Sequence, residues 1–169
     1  MQIYLSDLQA TIDLGKRMAG VIPAKEPPAI LLQGALGTGK TTLVRELVKS
    51  LPGGEKAEVS STSFNLLNNY LTTPEVAHID LYRVPFGEVE DDILDYFFEP
   101  AYLALVEWIE QIPTSMWPRD YLYINFEFVP LENKHSARWV TFSTSSAGTR
   151  QILEKLDPKL FARDGEKNL

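Results

Sequence analysis

The chain of 169 residues, 44% hydrophobic and 23% charged, has the size and balance of one soluble domain that buries its own core. Its formal charge of -7 argues against autonomous binding of nucleic acid, which rests mostly on Lys and Arg meeting phosphates; the acidity serves either solubility or a process reached through a partner. The lack of cysteine excludes disulfides and thiolate zinc sites, and neither a membrane span of roughly 20 apolar residues nor a secretory signal is visible, so a cytoplasmic setting is expected.

Met1 to Leu5 fits a short strand. Ser6-Asp7-Leu8-Gln9 has the form of a capping box, so a helix is expected to begin there. Leu8, Ile12 and Ala19, with Leu14 and Met18 nearby, give it an apolar stripe. Pro23 and the Pro27-Pro28 pair close it.

Ala29 to Thr42 is the stretch that organises the rest. Ile30 to Leu32 reads as a buried strand. Gly34, four residues, then Gly39-Lys40-Thr41 match the pattern of a phosphate-binding loop. Leu43, Val44, Leu47, Val48 and Leu51 then recur at helical spacing. A polyphosphate must be met by many backbone N–H groups at close range. Glycine lets the backbone approach with no Cβ in the way, and a helix N-terminus offers free N–H groups and the positive end of its dipole. In this pattern Lys40 reaches the β- and γ-phosphates and the Thr41 hydroxyl ligates Mg²⁺. A strand before and a helix after set the match apart from a chance glycine-rich turn.

Pro52-Gly53-Gly54 is a turn. Ser60-Ser61-Thr62-Ser63 places four hydroxyls in a row, as in a solvated loop or in a switch segment that senses Mg²⁺ or a γ-phosphate. Phe64 to Leu71 reads as a strand with Leu66, Leu67 and Tyr70. Val76 to Asp80 is a short strand ending in a carboxylate, the form of the second metal-site element of phosphate-loop NTPases and also a common strand end. His78 within it reads as structural, because nothing near it in the sequence makes a nucleophile pair or metal cluster. Glu88 to Phe98 reads as an amphipathic helix burying Val89, Ile93, Leu94 and Phe97, with Glu90, Asp91, Asp92 and Asp95 on a solvated face.

Tyr102 to Trp108 is an almost continuous apolar run that suits a central parallel strand covered on both faces. Glu107 ends it where ligands gather in open α/β sheets; it ligates Mg²⁺, orients an attacking water, or is a surface acid at a strand edge. Tyr121 to Val129 and Ala137 to Ser145 alternate in the strand manner, and the polar connection 130–136 makes them an antiparallel hairpin expected at the sheet edge. Ser146 can cap a last helix carrying Ile152, Leu153 and Leu156, and the tail 157–169 is expected to be loose. A single domain over 1–169 follows.

The residues weigh against a GTPase. Asp80 is followed by Leu81-Tyr82-Arg83 with no glycine at the third place, and Asn133-Lys134-His135-Ser136 lacks the acid that pairs with guanine. A small-molecule kinase is disfavoured as well: Arg83 and Arg119 are isolated, and no lid-like insertion stands out.

His78-Ile79-Asp80-Leu81-Tyr82-Arg83 and Val106-Glu107-Trp108, in this order after a phosphate loop, are specific together. The chain resembles the TsaE family, the small ATPases of bacterial tRNA threonylcarbamoyladenosine biosynthesis. The resemblance begins at Thr11 and Leu14-Gly15. It runs through the loop, Ser61-Thr62-Ser63-Phe64, Asp95-Tyr96-Phe97 and Leu105 to Trp108, nearly the whole chain before the hairpin. It implies an α/β fold of the P-loop NTPase kind, a three-layer sandwich with a mainly parallel central sheet followed by the antiparallel C-terminal hairpin. It implies ATP and Mg²⁺ as ligands, slow hydrolysis alone, and work with the TsaB–TsaD pair. That pair modifies the adenosine beside the anticodon, so tRNA is met only indirectly and ATP supports repeated turnover.

The same resemblance implies roles by position. Leu36, Gly37, Thr38, Gly39, Lys40, Thr41 and Thr42 cradle the phosphates, with Thr41 on Mg²⁺. Asp80 is the metal-shell carboxylate, Glu107 a Mg²⁺ ligand or catalytic acid, and Trp108 its functional neighbour. Ser63 stands for the threonine of the switch segment, Arg138 for a basic position near the nucleotide, and the helix start around Leu8 lies near the base. The chain departs from the family pattern at Ala35 for an acid, Thr38 for alanine, and Thr62-Ser63 for Pro-Thr. Loss of that proline loosens the switch segment while Ser63 keeps a hydroxyl. Two further readings stay open: a nucleotide-gated binding module whose hydrolysis is dispensable, and a phosphotransferase acting on an acceptor other than water.

Overall fold

The computed structural model describes residues 1–59, 66–129 and 137–156. The hydroxyl run 60–63 with Ser63, the hairpin connection 130–136 and the tail 157–169 lie outside the described residues.

A first strand, β1 (Gln2–Leu5), leads into helix α1 (Leu8–Ala19). Asp7, not Ser6, is the cap: its carboxylate accepts from the Ala10 N–H at 2.9 Å, and the Ser6 hydroxyl donates to Asp7 at 3.0 Å. Both residue types cap helices, so the pattern alone leaves the choice open by one residue. The buried stripe is Thr11, Leu14, Gly15 and Met18, whereas Leu8 is 56% exposed. Gly15 is the reason for the rotated stripe. A Cβ there would lie 2.8 Å from Glu46 Cβ on the next helix, so the two helices meet backbone to backbone at this point.

Strand β2 (Ala29–Gly34) and helix α2 (Lys40–Ser50) carry the loop motif. They are followed by β3 (Leu67–Tyr70), β4 (Glu75–Asp80), α3 (Asp91–Phe98), β5 (Tyr102–Glu107), β6 (Tyr121–Phe128), β7 (Arg138–Thr144) and α4 (Ala147–Lys155). The acidic helix begins three residues later than its periodicity suggests. Glu90 is its extended N-cap residue, and Val89 packs from outside the helix. Ser146 caps α4 as expected, exchanging hydrogen bonds with Thr149 in both directions.

One mixed sheet of seven strands runs in the order β1-β7-β6-β2-β5-β4-β3. The four middle strands are mutually parallel, and antiparallel pairs flank them on both sides. The hairpin is therefore not the edge. β6 pairs with β2 on one side and β7 on the other, and β7 carries β1 outside it. Burial explains the interior place of β6: Leu122, Ile124 and Phe126 are buried on one face, while Tyr121 and Tyr123 lie under Trp117 on the other.

The sheet divides two cores. Ile30, Leu32, Leu103 and Leu105 pack under α1, α2 and α4. Leu31, Ile79, Ala104 and Val106 pack against α3 and the turn at Ile109 and Ile112. Consecutive residues of β2 and β5 thus feed opposite cores, which is why both strands read as unbroken apolar runs. Among the described residues no helix is long and apolar enough to cross a membrane.

Candidate functional site

The loop between β2 and α2 is closed by its own side chains. The Thr38 hydroxyl and N–H both donate to Ala35 O, at 2.8 and 3.3 Å. Gly39, at φ +104, turns the chain into α2. A Cβ there would come within 2.5 Å of Arg138 Nη1, so a side chain is barred on steric as well as conformational grounds. The buried Arg138 guanidinium donates to Thr38 O at 2.7 Å across 100 residues. Burial pulls Arg138 below its ordinary pKa, and the Asp7 carboxylate at the start of α1 partly offsets this. Arg138 thus braces the loop from behind, as a neighbour of the site that the sequence places only by resemblance.

Lys40 opens α2 and is almost wholly enclosed. Its ammonium donates to Gly34 O at 2.6 Å and Ala35 O at 3.1 Å and sits 3.9 Å from the centre of the Trp108 ring. Burial holds its pKa below the usual lysine value, and Glu107, Glu110 and Asp80 pull it back up. Trp108 stands in the left-handed region at φ 62, a strained place for a side chain this large, and in that conformation its ring lies against Lys40. Tyr82, half exposed, packs on Trp108 with ring centres 4.7 Å apart.

The strand-end acids converge on the same place. Asp80 and Glu107 are register partners on β4 and β5. Glu107 is 1% exposed, so it is not a surface acid at a strand edge. Its Oε2 accepts from the Thr41 hydroxyl at 2.8 Å, and its Oε1 lies 3.0 Å from His78 Nε2. Asp80 is half-buried and accepts from the Tyr82 N–H at 3.1 Å. A cleft of about 190 Å³ is lined by Gly37, Lys40, Thr41, Asp80, Glu107 and Trp108, among others. Leu36, 69% exposed, stands at its mouth. Ser63 lies outside the described residues, and Leu8 points outward at the head of α1.

The donor set fits a magnesium polyphosphate. Free N–H groups of the first α2 turn and the Lys40 ammonium suit phosphate oxygens, while Thr41, Asp80 and Glu107 offer hard oxygen ligands beside them. Among the described residues no three carboxylates or imidazoles gather to hold a metal unaided.

Sequence reasoning missed the bond between His78 and Glu107. One signal was available: His78 and Asp80 are two apart on a strand, so they share a face, and Asp80 is the strand end that pairs with Glu107.

Fold and site together define a mixed α/β protein whose strand, glycine-rich turn and helix carry a phosphate-binding motif faced by two strand-end carboxylates. The profile of the family described as "Threonylcarbamoyl adenosine biosynthesis protein TsaE" matches residues 5–137, and the chain belongs to that family. A tRNA threonylcarbamoyladenosine biosynthesis protein TsaE from Synechocystis is 36% identical over 118 residues, covering 67% of this chain and 73% of its own. One from Rickettsia felis is 34% identical over 149 residues, covering 86% and 82%. The crystal structure of Bacillus subtilis YdiB aligns with a TM-score of 0.71 over 94% of this chain and 95% of its own, at 22% identity, a likeness of fold.

Proposed function

We propose that this TsaE-family protein is an ATP-binding and ATP-hydrolysing subunit of tRNA threonylcarbamoyladenosine biosynthesis, of the P-loop NTPase fold. It acts in the cytoplasm with a TsaB–TsaD pair and meets tRNA only through that pair. The observation that carries the reading is the Thr41–Glu107 hydrogen bond, which joins the phosphate loop to a buried acid 66 residues away, beside Lys40.

Leu36 to Thr42 wrap the phosphates with backbone N–H groups, and Lys40 turns from its loop carbonyls to the terminal phosphates. Mg²⁺ supplies charge neutralisation of the phosphates. Thr41, Asp80 and Glu107 hold that ion or its waters, and Trp108 keeps the Lys40 side chain in line. Ser63 adds a hydroxyl from the switch segment, and Arg138 fixes the loop by its Thr38 carbonyl. Water attacks the γ-phosphorus, the bond to the ADP oxygen breaks, and phosphate and ADP leave. The turnover so driven resets the modifying assembly.

The test is Mg-ATP hydrolysis by the pure chain with and without TsaB–TsaD, alongside calorimetry of Mg-ATP binding. Saturable binding and hydrolysis stimulated by the pair are expected. No heat of binding at millimolar Mg-ATP, even with the pair present, would sink the reading.

A further inference from the structure

His78 has no place in the roles given above, yet it is fully buried and its only described side-chain hydrogen bond is to Glu107. Its other ring nitrogen, Nδ1, is enclosed and has no hydrogen-bond partner among the described residues. A leucine at this place would carry no such desolvation burden. Glu107 as a carboxylate only accepts, so the ring hydrogen sits on Nε2 and points at Oε1. Oε1 therefore faces the buried interior under α2, and Oε2 faces Thr41 and the cleft.

We infer that His78 is a positioning residue that fixes which oxygen of Glu107 is presented to the cleft, holding the carboxylate in place when the Thr41 hydroxyl leaves it for another ligand. This rests on the proposed role of Glu107 and Thr41 at a magnesium nucleotide. With both donors in place the carboxylate is held from two sides. With Thr41 engaged elsewhere, the His78 bond is the remaining described side-chain restraint on its rotation. A carboxylate free to rotate loses alignment, and misplacement of about 1 Å at a reacting centre costs on the order of 100-fold. Mg-ATP binding, carried mainly by the loop and Lys40, depends on this alignment far less.

Two substitutions and two measurements test the inference on the full chain. His78→Leu removes the donor with little change of volume, and His78→Gln keeps an N–H that reaches the same place. Steady-state Mg-ATP hydrolysis, with TsaB–TsaD present, is expected to lose about 10- to 100-fold in kcat in His78→Leu with KM within about threefold of wild type. His78→Gln is expected to recover most of that loss. Equal kcat in wild type and His78→Leu would overturn the inference and leave the proposed function standing, as would a loss that glutamine does not rescue at all.

The second measurement does not need activity. The chain has two histidines, so long-range proton–nitrogen spectra of the imidazoles resolve them. The resonances lost in His78→Gln are expected to show the Nε2–H tautomer and to shift in Glu107→Ala. A hydrogen on Nδ1, or a spectrum indifferent to Glu107→Ala, overturns the inference even if no hydrolysis is seen and the proposed function has failed separately.

Discussion

Glu107 closes β5 at 1% exposure, with Thr41 on one oxygen and His78 on the other. On α3, Asp91, Asp92 and Asp95 carry the same functional group at the protein surface. Asp92, Asp95 and Glu99 also line a cleft of about 600 Å³, larger than the one at the phosphate loop, with aromatic rings and no basic side chain in its described lining. Such a cleft repels an anion. The contrast teaches that neither carboxylate density nor cleft size sets the candidate site apart. What marks it is an acid withdrawn from water, held by donors from other elements, and set beside an enclosed lysine.

The strongest attempt to break this contrast is Glu107→Ala. It is expected to cost at least ~2–4 kcal/mol in the transition state, a loss of roughly 30- to 1,000-fold in kcat measured with TsaB–TsaD, while Mg-ATP binding survives. Retained hydrolysis would reduce Glu107 to another α3-type acid, whereas lost hydrolysis with repeated rounds of the tRNA modification intact would favour a nucleotide-gated module that does not need hydrolysis. Gly15→Ala tests the scaffold rather than the chemistry. Its methyl group meets Glu46 Cβ at 2.8 Å and Leu43 O at 3.0 Å, so a loss of about 1–3 kcal/mol is expected. That reads as a Tm lower by roughly 2–4 °C for each kcal/mol.

Asp7 is a third kind of carboxylate, exposed but employed. Asp7→Ala removes the α1 cap and is expected to cost about 1 kcal/mol near neutral pH by denaturant titration. The Ala10 N–H, then the Ser6 hydroxyl, hold the Asp7 carboxyl below its usual 3.8. A carboxylate with a lowered folded-state value stabilises above its unfolded value and loses that contribution as pH falls through the folded one. The gap between wild type and Asp7→Ala should therefore narrow below pH 3.8. The smallest effect on hydrolysis belongs to the triple change Asp91→Asn, Asp92→Asn, Asp95→Asn, with kcat expected within about twofold of wild type. Only a fraction of a kcal/mol of stability should go with the charges at the α3 N-terminus. A large loss of kcat in this variant would erase the contrast.

What was legible in the sequence was local or periodic. The loop motif needs only consecutive residues, and the run from Tyr102 to Glu107 announces an interior strand because both its faces are apolar. What was not legible depends on partners far along the chain. His78 reads as structural until Glu107 is brought beside it, 29 residues on, and Arg138 reaches Thr38 across 100. The hairpin seemed an edge because β1 is short and its pairing with β7 leaves no mark in its own four residues. The α1 stripe is legible at Leu14 and Met18 but not at its exposed start, Leu8, because periodicity counts apolar side chains, whereas the contact with α2 is built on Gly15, which has none.

The position of β2 at the middle of the sheet sets the order in which a nascent chain can mature. β2 is translated before its two neighbours, β5 and β6, which begin only at Tyr102 and Tyr121. Until those segments leave the ribosome, Lys40 has no Trp108 beneath it and Thr41 no Glu107 opposite. The cleft beside the loop motif is therefore a late product of synthesis, closed only when strands far along the chain have been made.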